Sequence, residues 1–312
     1  MDHSHSDWIL GGMFKEIARA SHYYQNNLIE ISNLRNKSAI KSFVRVVLLC
    51  FSKSPLLFTS ITPLQNFIKF NPTQINFKAL WYTHSELKIS QKDVKLLNKV
   101  DVIFCHSRNN KIELVRCGVK SPIHNIIGGI DPDRFSRLAT PGNKISWVGT
   151  TAVRKNPRLF LDFVRANPKL KFRLLGRNWN SSSLFEEMYQ LKNLEFKKIT
   201  GALTSKDFDG CSHYLCLSQI EGGPMPLLES VAAGLIPIST NVGFAQELLT
   251  EFGYNRQILK YPIKFEDIIK KFNYSYNTQH RKNASLLAKK YSLASFSNQI
   301  QNNIEISIGM KP

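Results

Sequence analysis

Between residues 144 and 240, strand-like and helix-like patterns alternate almost without a break. This alternation limits the possible fold more than any other feature of the chain. KISWVG (144–149), KFRLLG (171–176), NLEFKKI (193–199), HYLCLS (213–218) and LIPIST (235–240) are short, mainly apolar runs. Between them lie the helical patterns NPRLFLDFVRA (156–166), SLFEEMYQLK (183–192), the short SKDF (205–208) and PLLESVAAG (226–234). Strands alternating with helices predict a parallel sheet covered on both faces. Strands buried on both faces are apolar along their length, as these runs are.

The first half repeats the pattern less cleanly. Strands are expected at NLIEIS (27–32), PLLFTS (55–60), FKALWYT (77–83) and DVIFCHS (101–107), with helical patterns between them. A chain of 312 residues suits two domains better than one core. The expected fold class is therefore α/β: two Rossmann-like doubly wound domains facing a cleft at the carboxyl ends of their strands, where open α/β sheets bind ligands. The polar loop SRLATPGNK (136–144) marks the boundary, giving domains 1–140 and 141–290. NASLLAKKYSLASFSNQIQNNI (283–304) reads as two helices broken near Ser292. The segment 291–312 is then a C-terminal helix placed to return to the first domain.

Composition narrows the partners. Hydrophobic content of 43% and charged content of 21% are those of an ordinary folded protein. No apolar run reaches the ~18 residues of a membrane span. The start, MDHSHSDWIL, is acidic and histidine-rich, unlike a signal peptide, so a cytoplasmic protein is expected. Cys50, Cys105, Cys117, Cys211 and Cys216 are odd in number and sit mostly in apolar runs, as buried free thiols do. Cys211, His213 and Cys216 lie close together but lack zinc spacing, so a core strand is the reading, and no metal site is expected. The net charge of +19 is spread over both halves and favours anionic partners: nucleotide phosphates, nucleic acid or an anionic membrane face.

EGGPMPLLESVAAGLIP (221–237) carries the most chemistry. Glu221 and Glu229 stand in a segment with no Lys or Arg of its own. The turn after the strand HYLCLS holds Gly222, Gly223 and Pro224, and Pro226 suits the first turn of the helix that follows. The glycines allow close backbone approach, and free N–H groups at a helix start make an anion site. Two carboxylates beside such a site do not bind phosphate, but they accept hydrogen bonds from hydroxyls. A diphosphate flanked by hydroxyl-rich sugars uses all of these features, and that ligand is a nucleotide sugar.

At these residues the sequence resembles retaining glycosyltransferases of family 4. The E-x7-E spacing followed by AAGLIPISTNVG is similar to their donor-site signature. VGTTAVRKNP (148–157), FRLLGRN (172–178), DVIFCHSRNNKIELVRCGV (101–119) with IIGGIDPDRF (126–135), and AKKYSLASFSNQI (288–300) resemble further segments in the same order. The resemblance spans roughly residues 77 to 305. It implies a GT-B fold, a nucleoside-diphosphate sugar (UDP- or GDP-linked) as co-substrate, no other cofactor, no metal, and a glycan or lipid-linked acceptor in surface polysaccharide or glycolipid assembly. It also implies roles for residues. Glu221 contacts hydroxyls of the transferred sugar, and Glu229 holds the ribose. Lys155 and Arg154, after Gly149, neutralise the diphosphate. The turn of Ile199, Thr200 and Gly201 meets the base. His84 faces the donor across the cleft. The chain departs from the family at Thr150, where an arginine is usual, with Arg154 or Arg177 as its substitute. It departs again at its start, where WILGGMFKEIA looks helical in place of a first strand, so that Gly11 and Gly12 stand for the glycine loop or lie within a helix. Either the N-terminal domain is reduced, or the true start lies upstream.

Other features have plainer readings. DFD (207–209) matches a metal-binding triplet of a different glycosyltransferase fold but lacks that context, and is read as surface. His106 is read as structural, and His3 and His5 as disordered. In KSAIKSFVRVVLLCFSK (37–53), Lys37, Lys41 and Arg45 share a helical face. Two readings stand: a helix lying on an anionic membrane, or a core helix with a solvated basic face. Two alternative functions also remain open. One is a basic nucleic-acid binding module, which the scattering of the basic residues disfavours. The other is a nucleotide-sugar epimerase or hydrolase of the same fold.

Overall fold

The computed structural model of the chain describes residues 13, 16–17, 55–70, 77–82, 89–272, 284 and 286–309. The expected strand at 27–32, the helix at 37–53, and His3, His5, Gly11, Gly12, Cys50 and His84 lie outside the described residues. The chain divides into two compact units, one of residues 1–129 with 293–312 and one of residues 130–292. The loop 136–144 falls within the second.

In the first unit the described residues form four parallel strands in the order β1 (Leu56–Phe58), β2 (Lys78–Tyr82), β3 (Val102–Cys105), β4 (Ile123–Asn125). Between the strands lie α1 (Ile61–Phe70), α2 (Gln91–Leu97) and α3 (Arg108–Arg116). β2 and β3 are buried at every position; β3 is apolar throughout, while β2 opens on a buried Lys78 that pairs with Asp101 at 3.4 Å. α2 starts at a reciprocal cap, in which Ser90 Oγ accepts from the Asp93 N–H and Asp93 accepts from the Ser90 N–H.

The second unit holds six parallel strands: β5 (Lys144–Gly149), β6 (Lys171–Gly176), β7 (Leu194–Lys198), β8 (Cys211–Cys216), β9 (Ile236–Thr240) and β10 (Ile258–Leu259). Their order is β10-β9-β8-β5-β6-β7. The helices are α4 (Pro157–Ala166), α5 (Leu184–Tyr189), α6 (Met225–Ala232), α7 (Ala245–Glu251) and α8 (Phe265–Phe272). β5 and β6 span the residues their apolar runs predict. SKDF forms a single 3-10 turn, because four residues with a reciprocal Thr204–Asp207 cap cannot propagate an α-helix. Trp147 stacks on Phe160 of α4 with ring centroids 5.1 Å apart, and Trp179 meets Trp147 edge-on at 5.9 Å. Each fully buried Phe or Leu of α4 contributes about 2 kcal/mol.

The strand order places a topological switch beside β5. The chain leaves β5 to build β6 and β7 on one side, then crosses back to lay β8 on the other. Open α/β sheets bind ligands in the crevice at such a switch, outside the carboxyl ends of the strands.

After helical residues 286–290, the chain makes a parallel bridge between Ser292 and Ile130 and then forms α9 (Leu293–Ser307). α9 belongs to the first unit. Phe296 packs edge-on against Trp81 at 4.8 Å, and the Gln301 side chain donates to the Ile17 carbonyl at 2.8 Å. The two predicted helices and their break near Ser292 are thus present. The four described cysteines are free, and Cys117 is partly exposed. Among the described residues no helix is long and apolar enough to cross a membrane.

Candidate functional site

The crevice beside β5 gathers residues distant in sequence. The loop after β5 contains a 3-10 turn, Val153–Lys155, that ends on Asn156 in the left-handed conformation. The loop after β8 carries Glu221, Gly222, Gly223 and Pro224 into α6. The two loops are tied by backbone, since the Gln219 N–H donates to the Arg154 carbonyl at 2.8 Å. The Asn156 side-chain amide donates to the Leu217 carbonyl at 2.9 Å and accepts from the Gln219 side chain.

Across this junction Glu221 meets both predicted cations. Arg154 Nη1 lies 2.8 Å from Oε2, Lys155 Nζ pairs with Oε1, and the Ser218 hydroxyl donates to Oε1 at 2.8 Å. The segment 221–237 has no basic residue of its own. The structure supplies two from 66 and 67 positions earlier. The Glu221 and Lys155 side chains are 7% and 15% exposed, so water screens that pair little, whereas Arg154 is 39% exposed and its pair with Glu221 is screened more. Two cations and one carboxylate leave one positive charge in excess at the crevice.

Glu229, one turn into α6, is in a different state. It is fully buried, and its Oε2 has no hydrogen-bond partner. Burial pushes its carboxyl up to about 8. The charges of Arg134 and Arg177 work against that rise, and Asp207 adds to it. A buried acceptor left unpaired costs ~1–3 kcal/mol.

The remaining predicted residues sit around these two acids. Gly149 ends β5, and its carbonyl accepts from the Trp179 indole at 3.0 Å. A Cβ at Gly149 would lie 2.7 Å from the Trp147 ring, so this glycine is fixed by packing. Thr200 and Gly201 follow β7, and Arg177 donates to the Gly201 carbonyl. A Cβ at Gly201 would meet nothing within 4 Å, so the space above that turn is open. In the turn before α6 the N–H groups of Met225 and Leu227 are taken by the carbonyls of Gly223 and Pro224. Pro224 and Pro226 have no N–H, so the unpaired N–H groups of this turn are those of Gly222 and Gly223. Both aspartates of DFD are spent on structure. Asp207 pairs with Lys197 at 2.8 Å, and Asp209 takes both Nη1 and Nη2 of Arg137.

Sequence reasoning missed several supports. Arg134 is close enough to act on Glu229. Ser218 orients Glu221, and its own carbonyl accepts from Thr240 Oγ1 at 2.6 Å and from Tyr261 Oη at 3.2 Å. Gly243 backs the 221–224 turn so closely that a Cβ there would lie 2.8 Å from the Gly222 carbonyl oxygen. Thr240 and Gly243 belong to the motif AAGLIPISTNVG, so their motif was a usable signal. Arg134 likewise belongs to the motif IIGGIDPDRF, whereas Tyr261 lies in none.

Residues 130–291, slightly more than half the chain, match the family model described as glycosyl transferases group 1. None of the curated proteins matches the chain. Among solved structures, Anabaena HepE in complex with UDP-glucose is similar with a TM-score of 0.68 at 13% identity, over 94% of this chain and 89% of that one. Sucrose-phosphate synthase from Thermosynechococcus elongatus gives 0.67 at 13% identity, over 93% and 82%. The pneumococcal O-GlcNAc transferase GtfA, in complex with UDP and GlcNAc, gives 0.62 at 16% identity, over 86% of this chain and 60% of that one. The chain thus spans 60% of the length of GtfA. At these identities the likeness is one of fold, and the fold is the GT-B arrangement that the sequence resemblance implies.

Proposed function

The chain belongs to the family of glycosyl transferases group 1, and from that premise we propose that it is a retaining glycosyltransferase. It would move a sugar from a nucleoside-diphosphate sugar to a glycan or lipid-linked acceptor, in surface polysaccharide or glycolipid assembly at the cytoplasmic side. In this reading the second unit holds the donor and the first unit serves the acceptor. UDP is the first base to try, because HepE and GtfA were both solved with UDP or a UDP-sugar.

The observation that carries the reading is the Glu221–Lys155–Arg154 cluster at the switch point of the sheet. Without donor, Glu221 holds the two cations in place. With donor, Lys155 and Arg154 turn to the diphosphate, and Glu221 is released to accept from sugar hydroxyls. The spare positive charge and the N–H groups of Gly222 and Gly223 then oppose the charge that grows on the leaving phosphate. The acceptor hydroxyl passes its proton to the departing phosphate oxygen, so no side-chain nucleophile is needed. Glu229 accepts from the ribose, and the base lies over the open Thr200–Gly201 turn.

Release of nucleoside diphosphate from a panel of UDP- and GDP-sugars, with the anomeric configuration of the product read by NMR, tests this. The expected result is release from one donor with retention. Lys155→Ala is expected to lower kcat about 100-fold, the scale of losing one preorganised charge contact. Inversion, or no release from any donor, would contradict the proposal.

A further inference from the structure

Tyr261 follows β10, which lies on the far side of β9 from β8. Its ring is 51% exposed, so little of it serves the core. A side chain kept there for packing alone would need no hydroxyl. The hydroxyl nevertheless has two partners. It donates to the Ser218 carbonyl at 3.2 Å and accepts from the Asn156 side-chain amide at 3.4 Å.

The two partners belong to the two loops of the crevice. Asn156 follows Lys155 directly and closes the 3-10 turn that carries Arg154 and Lys155. Ser218 stands at the start of the other loop, and its hydroxyl donates to Glu221 Oε1 at 2.8 Å. Thr240 anchors the Ser218 carbonyl to β9, whereas Tyr261 links that carbonyl to the loop of the basic pair. One hydroxyl thus touches a neighbour of the cations and a neighbour of the carboxylate, while carrying no charge and contacting none of the three charged groups through a printed bond of its own.

We infer that Tyr261 is a positioning residue: its hydroxyl keeps the Arg154–Lys155 loop and the Glu221 loop in register, so that the three charges meet a donor as one preformed group. Its catalytic consequence rests on the reading of this crevice as the donor site. Without the hydroxyl all three charges remain, so nucleotide still binds, but their mutual placement loosens, and rate is more sensitive to placement than affinity is.

Tyr261→Phe keeps the exposed ring and removes only the hydroxyl. The Gln219 N–H, which donates to the Arg154 carbonyl, reports on the tie between the loops. Hydrogen exchange read by NMR on the unliganded full chain is expected to be about tenfold faster at Gln219 in Tyr261→Phe, the scale of losing one hydrogen bond, with the amides of β5 and β6 unchanged. With a UDP-sugar that the wild type turns over, kcat is expected to fall about tenfold while UDP affinity by calorimetry stays within about twofold. Unchanged exchange at Gln219 would overturn the inference. Faster exchange at β5 and β6 as well would overturn it too, because the hydroxyl would then support the fold in general. A loosened Gln219 with an unchanged kcat would also count against it. The exchange measurement needs no donor. If the wild type releases nucleotide from no donor, the transferase reading fails, and exchange at Gln219 still decides whether Tyr261 holds the loops.

Discussion

With its Oε2 buried and unbonded, Glu229 keeps its proton up to about pH 8, and this has two consequences. An acid whose pKa rises on folding stabilises the folded state through its protonated form. That contribution is complete below the ordinary value of 4.5 and fades as pH rises toward 8. The unliganded protein should therefore lose stability across that window, by a few kcal/mol at most, and Glu229→Gln should flatten the slope. Urea unfolding between pH 5 and 9 checks this, and equal slopes in the two proteins would refute it. The second consequence concerns ligand. If ribose hydroxyls bind the ionised carboxylate, nucleotide affinity should rise up to tenfold per pH unit until about pH 8 in the wild type and stay level in Glu229→Gln. Calorimetry over the same range reads both. At this scale the sequence was legible in part. The two glutamates, the glycine turn and the basic pair stood out by type and spacing. That Lys155 and Arg154 pair with Glu221 was not visible, because the contact crosses 66 positions and depends on β5 and β8 being neighbours. The lone Oε2 of Glu229 was not visible either, because burial is set by everything that packs around α6.

Among elements, the turn after β8 is held from behind by the turn after β9. Gly243 has φ +52°, and a Cβ there would lie 2.8 Å from the Gly222 carbonyl oxygen and from Pro224 Cδ. Gly243→Ala should cost ~1–3 kcal/mol of stability and displace the 221–224 turn, weakening nucleotide binding. Gly201→Ala is its counterpart. Nothing lies within 4 Å of the added Cβ, so Tm should hold while nucleotide binding falls if the base lies there. Thermal melts of both variants with and without nucleotide separate the two cases. A stable Gly243→Ala protein with normal binding would undo the argument for that turn. The elements themselves were readable where burial is two-sided. β5 and β6 match their apolar runs because central parallel strands have no polar face. β4, which is Ile-His-Asn, and β10, of two residues, were missed because neither forms an apolar run, unlike the equally short edge strand β1 within PLLFTS.

For the whole molecule, the second unit closes on itself. Ile130 bridges to Ser292, Tyr291 donates to Glu251 at 2.6 Å, and Arg137 clamps Asp209. A fragment of residues 130–292 should therefore fold cooperatively and bind the same nucleoside diphosphate as the full chain. Circular dichroism and calorimetry on the fragment test this, and an unfolded fragment would show that the first unit is needed. The GT-B class was legible because alternation and motif order survive at low identity. The division of the chain was harder to read, because the loop 136–144 looks like a linker in composition yet is bonded into the second unit through Thr140 and Asp209. The central claim is that Glu229 and its neighbours hold a nucleoside diphosphate. The most direct measurement is a thermal-shift series of UDP, GDP, ADP and TDP on the wild type and Glu229→Ala. A ligand at ~100 times its dissociation constant stabilises by about 2.7 kcal/mol. One nucleotide is expected to raise the Tm of the wild type and not of the variant. No shift with any nucleotide, or an equal shift in both proteins, would contradict it.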